Sequence, residues 1–154
     1  MTEVFYGPRL GREGKIRLGT SAIIFNGDGK FLLTQRNDNH QWCLPGGAVE
    51  SGETVAEACE REVLEETGLS VRVKRLVGVY SHSDQLVVYK GGNKAQIVAI
   101  HFEAEIIGGE PGLSEETIDF GYFTVEEMEK QQMMGRHRER ILDSLANLRE
   151  AVIK

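Results

Sequence analysis

The chain has 154 residues, of which 40% are hydrophobic and 27% are charged, a composition that excludes wholesale disorder and favours one compact domain. Its formal net charge of −6 argues against a surface that coats nucleic acid. The sequence has no apolar run of about 18 residues, and its first residues lack the apolar core of a signal peptide. It therefore predicts a cytoplasmic protein without a membrane span.

The first half of the chain begins with a predicted β-hairpin over residues 17–36. Two apolar, β-rich runs flank the letters NGDG, in which asparagine and glycine supply the positive φ of a tight turn. Residues 41–47 follow as a short strand fragment that ends in a loop at Pro45. Cys43 and Cys59 belong to no CxxC motif, so we expect two reduced thiols rather than a disulfide.

A helix is predicted from Val55 onward. Thr54 followed by Glu57 fits a capping box, in which each residue accepts a backbone hydrogen bond from the other. Gly68 fits the left-handed residue that ends a helix. The apolar stripe of this helix, which we expect to face the core, consists of Val55, Cys59 and Val63.

The second half of the chain is predicted to contain mostly strands. Long strands are expected over residues 69–81 and 96–107, with a short strand and a glycine-rich turn between them. A loop is expected over residues 108–117, a strand over residues 118–124 and a short helix over residues 125–132.

The end of the chain, residues 135–154, is amphipathic. Four residues recur at helical spacing and predict a stripe that faces the core: Ile141, Leu145, Leu148 and Val152. The order strands, helix, strands, helix predicts an α+β fold in which helices cover both faces of a mixed sheet.

The first helix carries an acidic face. Glu62, Glu65 and Glu66 stand at i, i+3 and i+4, so they share one side of the helix. They lie toward the helix C-terminus, where negative charge is unfavourable, and no lysine follows four residues later to balance them. A solvated acidic surface is the plain interpretation. Clustered carboxylates next to a core stripe also fit a site for Mg²⁺ or Mn²⁺, which prefer oxygen ligands.

Two glycines precede this helix. Gly46 and Gly47 follow Pro45, and a backbone without side chains can fold tightly and come close to an ion or a ligand. An ordinary tight turn would explain the glycines alone. The acidic helix and the glycines together indicate a site more strongly than either feature does.

These residues match a known pattern. Gly47, Glu53 and the run from Arg61 to Leu69 occupy every fixed position of the Nudix box at its set spacing. The chain therefore resembles the Nudix hydrolase family, from about Arg17 to Met128. The resemblance implies a Nudix-type α/β/α sandwich, with residues 1–154 forming a single Nudix hydrolase domain.

The resemblance also implies an activity and a site. Similar proteins use Mg²⁺ or Mn²⁺ to hydrolyse the pyrophosphate bond of a nucleoside diphosphate linked to another group. By position, Glu62, Glu65 and Glu66 would be the catalytic, metal-binding cluster, and the residue at the Glu62 position is often the proposed general base. Arg61 would orient a neighbouring glutamate, and the carbonyl of Gly46 would contribute a metal contact.

Other site residues follow from the same resemblance. Glu116 is similar to a further acidic residue that enters the site from a late loop in some relatives, and Glu115 is the near alternative. Arg36 and Gly47 are candidate substrate contacts. Glu53, which precedes the helix cap, is expected to be structural or to lie just outside the metal ligands.

Aromatic and histidine residues give little further information. Three aromatic side chains are available to stack a base, but core packing is the expected use of Trp42, Tyr80 and Phe123. The histidines form no ligand spacing and are expected to be structural or solvent-facing; they are His40, His82, His101 and His137.

The substrate stays open. Many ADP-ribose pyrophosphatases carry a proline where this chain has Gln85, and Tyr89 lies slightly too late for the tyrosine of dinucleoside polyphosphate hydrolases. A nucleotide sugar such as ADP-ribose and a (deoxy)nucleoside triphosphate are the leading candidates. The expected partner is a small nucleotide, with no membrane or nucleic acid, and the resemblance leaves a homodimer open. The alternative function is a non-catalytic module that binds and senses a nucleotide.

Overall fold

The computed structural model describes residues 2–154, which contain ten β-strands, three α-helices and a short 3₁₀-helix at Leu10–Glu13. The strands are β1 (Glu3–Tyr6), β2 (Lys15–Ile24), β3 (Phe31–Arg36), β4 (Trp42–Cys43), β5 (Gly46–Ala48), β6 (Leu69–Tyr80), β7 (Gln85–Val88), β8 (Lys94–Gly109), β9 (Thr117–Phe123) and β10 (Val152–Ile153). The helices are α1 (Val55–Thr67), α2 (Val125–Met128) and α3 (His137–Leu145). No helix within residues 2–154 is long and apolar enough to cross a membrane.

Two sheets form the framework. The larger one is mixed: β8 pairs in parallel with β2 and antiparallel with β6 and β7. Strands β1, β5 and β10 extend it through β7, β2 and β6 respectively. The smaller sheet is antiparallel, with the order β4-β3-β9.

The core lies on both faces of these strands. Ala22 and Ile24 of β2 pack with Cys59 and Val63 of α1, whereas Ile23, between them in the chain, packs in a second cluster with α2 and α3. Because successive side chains of a strand point to opposite faces, the helices must cover opposite faces. The predicted α/β/α sandwich with a mixed sheet is confirmed.

The predicted hairpin over residues 17–36 is wrong in its pairing. Its turn forms, with Asn26 Oδ1 accepting hydrogen bonds from the N–H groups of Asp28 and Lys30, both at 3.0 Å. The flanking strands then enter different sheets, joined only by a bridge between Phe25 and Phe31. Strand β2 pairs instead with β8 along one edge, and Gly19 to Ser21 on its other edge pair with β5.

Two other predictions need correction. The terminal helix ends at Leu145, so the predicted stripe does not continue: Leu148 is exposed and Val152 lies in β10, paired with Gly78. The loop predicted after Pro45 is instead a short strand, β5, in which Gly46 to Ala48 pair with β2. The long strands β6 and β8, the short strands β7 and β9, and the helices α1 and α2 are confirmed.

Candidate active site

Helix α1 begins and ends where the local sequence dictates. Thr54 Oγ1 accepts the N–H of Glu57 at 3.1 Å, and Glu57 Oε2 accepts the N–H of Thr54 at 2.8 Å, so the predicted capping box is present. Gly68 ends the helix in the left-handed conformation, with φ 74°. Cys59 and Val63 are fully buried, which fixes the rotation of α1 and turns the face of Glu62 and Glu66 toward β5.

Glu66 is the most buried carboxylate of this face. Its Oε2 accepts the N–H of Gly46 at 3.3 Å. Burial, reinforced by the negative charge of Glu62, raises the pKa of Glu66 from 4.5 to about 8. Within residues 2–154 Glu66 forms no ion pair within 4.0 Å, so the protein provides no ion-pair partner for its ionised form.

Arg61 holds the neighbouring carboxylates together. Its Nη1 donates to Glu62 Oε1 at 3.0 Å and to Glu65 Oε2 at 3.2 Å. Its Nη2 donates to Glu53 Oε2 at 3.1 Å and to the carbonyl of Ala48 at 3.0 Å, and its Nε also bonds Glu53. These bonds fit the predicted orienting role of Arg61 and the structural role of Glu53.

The two other glutamates of the predicted cluster differ in exposure. The Glu62 side chain is 16% exposed, whereas the Glu65 side chain is 58% exposed. Burial raises the pKa of Glu62 even though Arg61 beside it acts in the opposite direction. Across residues 2–154 no three His, Cys, Asp or Glu side chains are already gathered around one point as metal ligands. Glu62 and Glu66 therefore form the inner pair, and Glu65 stands at the rim beside Arg61.

At two positions of strand β5 a side chain would force neighbouring atoms to move, the backbone of β2 at Gly46 and the end of a flexible side chain at Gly47. A Cβ on Gly46, whose φ is +155°, would overlap the carbonyl oxygen of Thr20 in β2. A Cβ on Gly47 would overlap the carboxylate of Glu62. The paired glycines thus let the backbone of β5 lie directly against the acidic face of α1.

A cavity of about 670 Å³ opens in front of these groups. Its wall includes Glu62 and Glu66 of α1 and Gly46 and Gly47 of β5. Glu65, Arg61 and Glu53 are not part of its wall. The cavity thus brings together the inner carboxylate pair and the glycine backbone that the sequence analysis selected.

The late loop also reaches this cavity. Glu115 and Glu116 both line it. Asn37, just after β3, holds the loop in place through two hydrogen bonds. Its N–H donates to the carbonyl oxygen of Glu116 at 2.9 Å, and its Nδ2 donates to the carbonyl oxygen of Glu115 at 3.1 Å. Both residues remain candidates for the additional acidic position.

Arg36 lies at the end of β3, as expected, and lines the cavity. Its Nε and Nη2 donate to the two carboxylate oxygens of Asp38, each at 2.9 Å. This two-bond contact holds the pKa of Asp38 well below its usual range. Arg36 is therefore a cation at the cavity that already has an acidic partner.

The aromatic residues pack as expected. Tyr80 is buried, with its hydroxyl donating to Asp143 Oδ2 at 2.8 Å. Trp42 and Phe123 pack edge to face, with ring centroids 4.9 Å apart, on the second core cluster. The rings of these residues serve the core rather than the cavity.

The cavity wall also contains residues that the sequence did not predict there, among them His137 and Arg140 of α3. The sequence predicts a structural or solvent-facing role for His137 and gives no role to Arg140. In the sequence their one sign is position: Arg140 precedes Ile141 of the predicted core-facing stripe, and His137 lies one turn before Ile141. Arg138, three residues before Ile141, is exposed, so this position alone does not place a cation in the interior.

Comparisons with known proteins agree with this geometry. A family model of the NUDIX domain matches residues 15–145. An ADP-ribose pyrophosphatase from Methanocaldococcus jannaschii is 39% identical over 110 residues, which cover 70% of this chain and 62%, less than two thirds, of that protein. The nucleoside triphosphatase NudI from Escherichia coli is 30% identical over 113 residues, covering 68% of this chain and 80% of that protein.

Solved structures share the fold. A crystal structure of the MutT protein from Methanosarcina mazei Go1 superposes with a TM-score of 0.71 at 26% identity, covering 88% of this chain and 97% of that one. The family match spans most of the chain and includes the whole segment from Gly47 to Leu69. The chain therefore belongs to the Nudix family.

Proposed function

We propose that this protein hydrolyses the pyrophosphate bond of a nucleoside diphosphate linked to another group, with Mg²⁺ or Mn²⁺ as cofactor. One observation carries the proposal: the carboxylates of Glu62 and Glu66 line a nucleotide-sized cavity, and the pKa of each is raised by burial. A protein gains nothing in stability from two adjacent, desolvated carboxylates. A bound cation would offset their charge.

The available donors fit a hard divalent cation. Nudix hydrolases generally use Mg²⁺ or Mn²⁺, and both prefer oxygen ligands. We propose that Glu62, Glu66 and the carbonyl of Gly46 hold the metal, with Glu65 and Glu116 as further ligands. A bound divalent metal supplies positive charge that offsets the charge of the diphosphate and makes water more acidic.

The protein's own residues would divide the remaining work. Glu62 is the candidate general base: Arg61 fixes one of its oxygens, which leaves the other to take the proton of the attacking water. Water adds to one phosphorus as the bridging P–O bond breaks, which leaves two phosphorylated fragments. Arg36 and the backbone at Gly47 are the proposed substrate contacts, and both line the cavity.

The names of relatives support two substrate classes. The relatives named above include an ADP-ribose pyrophosphatase and a nucleoside triphosphatase, which match the two candidates from the sequence. The cavity of about 670 Å³ falls within the range of about 300–1,000 Å³ that is typical of small-molecule sites. We therefore propose a nucleotide sugar such as ADP-ribose, or a (deoxy)nucleoside triphosphate, as the substrate.

The test is hydrolysis of a panel with Mg²⁺ that contains ADP-ribose, other nucleotide sugars, dinucleoside polyphosphates and nucleoside triphosphates. Glu66→Gln should lose at least about 100-fold in kcat, because it removes a proposed ligand while keeping the side-chain shape. The matched control is Glu126→Gln, an exposed glutamate of α2, which should keep wild-type activity. Tight nucleotide binding without turnover by the wild type would support the alternative, a non-catalytic sensing module.

Three general properties belong to the same proposal. We propose that residues 1–154 act as one Nudix domain in the cytoplasm; the two cysteines, both buried and unpaired, are compatible with a reducing compartment. Fractionation of cells that express the protein would test the location. Sedimentation would test the homodimer that the family leaves open, since the monomer has a mass of 17.2 kDa.

A further inference from the structure

Arg140 is a buried cation that lacks a carboxylate partner within residues 2–154. Arg140 is only 8% exposed, and its Nε has no hydrogen-bond partner. The contacts it does make are weak: Nη1 donates to Ser21 Oγ at 3.4 Å, and the guanidinium lies 5.7 Å from the centre of the Tyr80 ring. Arg140 stays charged at neutral pH, since burial lowers its pKa only to about 10.

The groups around Arg140 do not neutralise it. His101 bridges Ser21 Oγ at 2.9 Å and Ser144 Oγ at 2.8 Å, and burial lowers its pKa to about 3, so this network is uncharged at neutral pH. Burial likewise raises the pKa of the nearby Cys43 thiol to about 11. Glu139 is acidic, but it pairs with Lys154 at 3.3 Å and lies 3.1 Å from His82.

Two other arginines, one in the cavity wall and one on the same helix, have carboxylate partners, whereas Arg17 of the cavity wall is exposed to solvent. Arg36 has Asp38, and Arg138, exposed on α3, has Glu129 at 2.7 Å. A buried charge without a partner destabilises a protein, because it gives up hydration that no other group replaces. Because Arg140 also lines the cavity, a ligand that enters the cavity is available to supply the missing anion.

His137 adds a second donor beside Arg140. Its Nδ1 accepts the N–H of Leu44 at 3.0 Å, so the neutral ring carries its proton on Nε2. The two residues are three positions apart on α3, and both line the cavity. An N–H donor and a guanidinium on one turn of a helix match the oxygens of a phosphoryl group.

We propose that Arg140 and His137 form an anion subsite that binds a phosphoryl group of the substrate. This inference rests on the proposed function, because that function determines which anion enters the cavity. In this arrangement, carboxylates of α1 bind the metal, and hydrogen-bond donors of α3 bind a phosphoryl group. The phosphoryl group comes either from the diphosphate itself or from a terminal phosphate of the attached group.

The direct test measures binding of inorganic pyrophosphate, by calorimetry, to metal-free protein in the presence of a chelator. Arg140→Met should weaken binding by roughly 10- to 100-fold, the value of a hydrogen-bonded charge pair. Arg138→Met removes a cation from the exposed side of the same helix and should bind like the wild type. Equal binding by Arg140→Met and wild type, or an equal loss in Arg138→Met, overturns the subsite.

Stability separates a ligand-binding role from a structural one. Removal of an unpartnered buried charge should leave the melting temperature of metal-free Arg140→Met equal to or above that of the wild type. If the variant is unstable or fails to fold, an NMR measurement on the wild type tests the subsite instead. Pyrophosphate should shift the ¹⁵N resonance of His137 Nε2, and an unchanged resonance at saturation contradicts the proposal.

Kinetics distinguish the two sources of the phosphoryl group. A raised KM of Arg140→Met for both ADP-ribose and nucleoside triphosphates assigns the subsite to the diphosphate, and a rise for triphosphates alone assigns it to the terminal phosphate. Unchanged KM for both overturns the subsite. Failure of the proposed function is a separate result, because pyrophosphate binding in a chelator needs no turnover.

Discussion

The Glu66→Gln variant tests whether the acidic face of α1 lowers the stability of the metal-free protein. The carboxylate has a pKa raised from 4.5 to about 8 by burial and by Glu62, which corresponds to about 5 kcal/mol at roughly 1.4 kcal/mol per unit. A group whose pKa is higher in the folded than in the unfolded protein contributes its full stabilisation at pH values below the pKa of the unfolded state. This contribution is lost as the pH rises through the pKa of the folded state. Wild-type stability should therefore fall relative to Glu66→Gln between pH 5 and pH 8, by about 3 to 4 kcal/mol.

Urea unfolding of both proteins in a chelator, at several pH values from 5 to 8.5, measures this difference. Glutamine keeps an oxygen that can accept the N–H of Gly46, so the comparison isolates the charge. Glu126→Gln, on the exposed face of α2, should differ from wild type by an amount that does not change with pH. Mg²⁺ added at pH 8 should raise the melting temperature of wild type more than that of Glu66→Gln. A stability difference that stays constant from pH 5 to pH 8 would refute the argument.

Three further predictions concern the same framework. Gly47→Ala should reduce kcat by about 100-fold while folding is retained, because a Cβ there displaces the Glu62 carboxylate; near-wild-type turnover contradicts the close packing of β5 on α1. Thr54→Ala should cost about 1 kcal/mol in urea unfolding through loss of the capping box, with KM unchanged; an unaltered unfolding midpoint argues against the cap. His101, with its pKa lowered from 6.5 to about 3, stabilises the protein above pH 6.5 and loses that contribution as pH falls, by about 3 kcal/mol between pH 6.5 and pH 4. His101→Gln should lack this part of the acid sensitivity in urea unfolding, and an identical pH profile for both proteins shows that His101 is not buried as described.

The acidic side of the site could be predicted because its determinants are local. A capping box, a glycine stop and an apolar stripe define where α1 begins, where it ends and which side faces the core. These three features fix the direction of Glu62 and Glu66 without any knowledge of distant residues. The spacing of the Nudix box then supplied the interpretation of that face.

The strand pairing could not be predicted in the same way. Residues 20–24 of β2 are buried on both faces, so they lack the alternation that distinguishes one sheet position from another. A turn with good local geometry suggested that β2 pairs with β3. The parallel partner of β2 is instead β8, about 80 positions away in the chain, and only packing of the whole domain selects it.

The cationic side of the cavity was hidden for a related reason. Arg140 becomes notable only because Ser21, His101 and Ser144 surround it with uncharged groups. Those residues come from β2, β8 and α3, which no local pattern connects. In the sequence, Arg140 is one of several charged residues near a helical stripe.

We propose that buried carboxylates of α1 support metal-dependent cleavage of a phosphoric anhydride. The most direct measurement is mass analysis of the products formed from ADP-ribose and from a nucleoside triphosphate in ¹⁸O-water with Mg²⁺. We predict two phosphorylated fragments from at least one of them, with one ¹⁸O atom incorporated on phosphorus. We expect no product in a chelator, and product formation at least about 100-fold slower with Glu66→Gln. Products that form equally well without metal, or equally well with Glu66→Gln, would contradict the account.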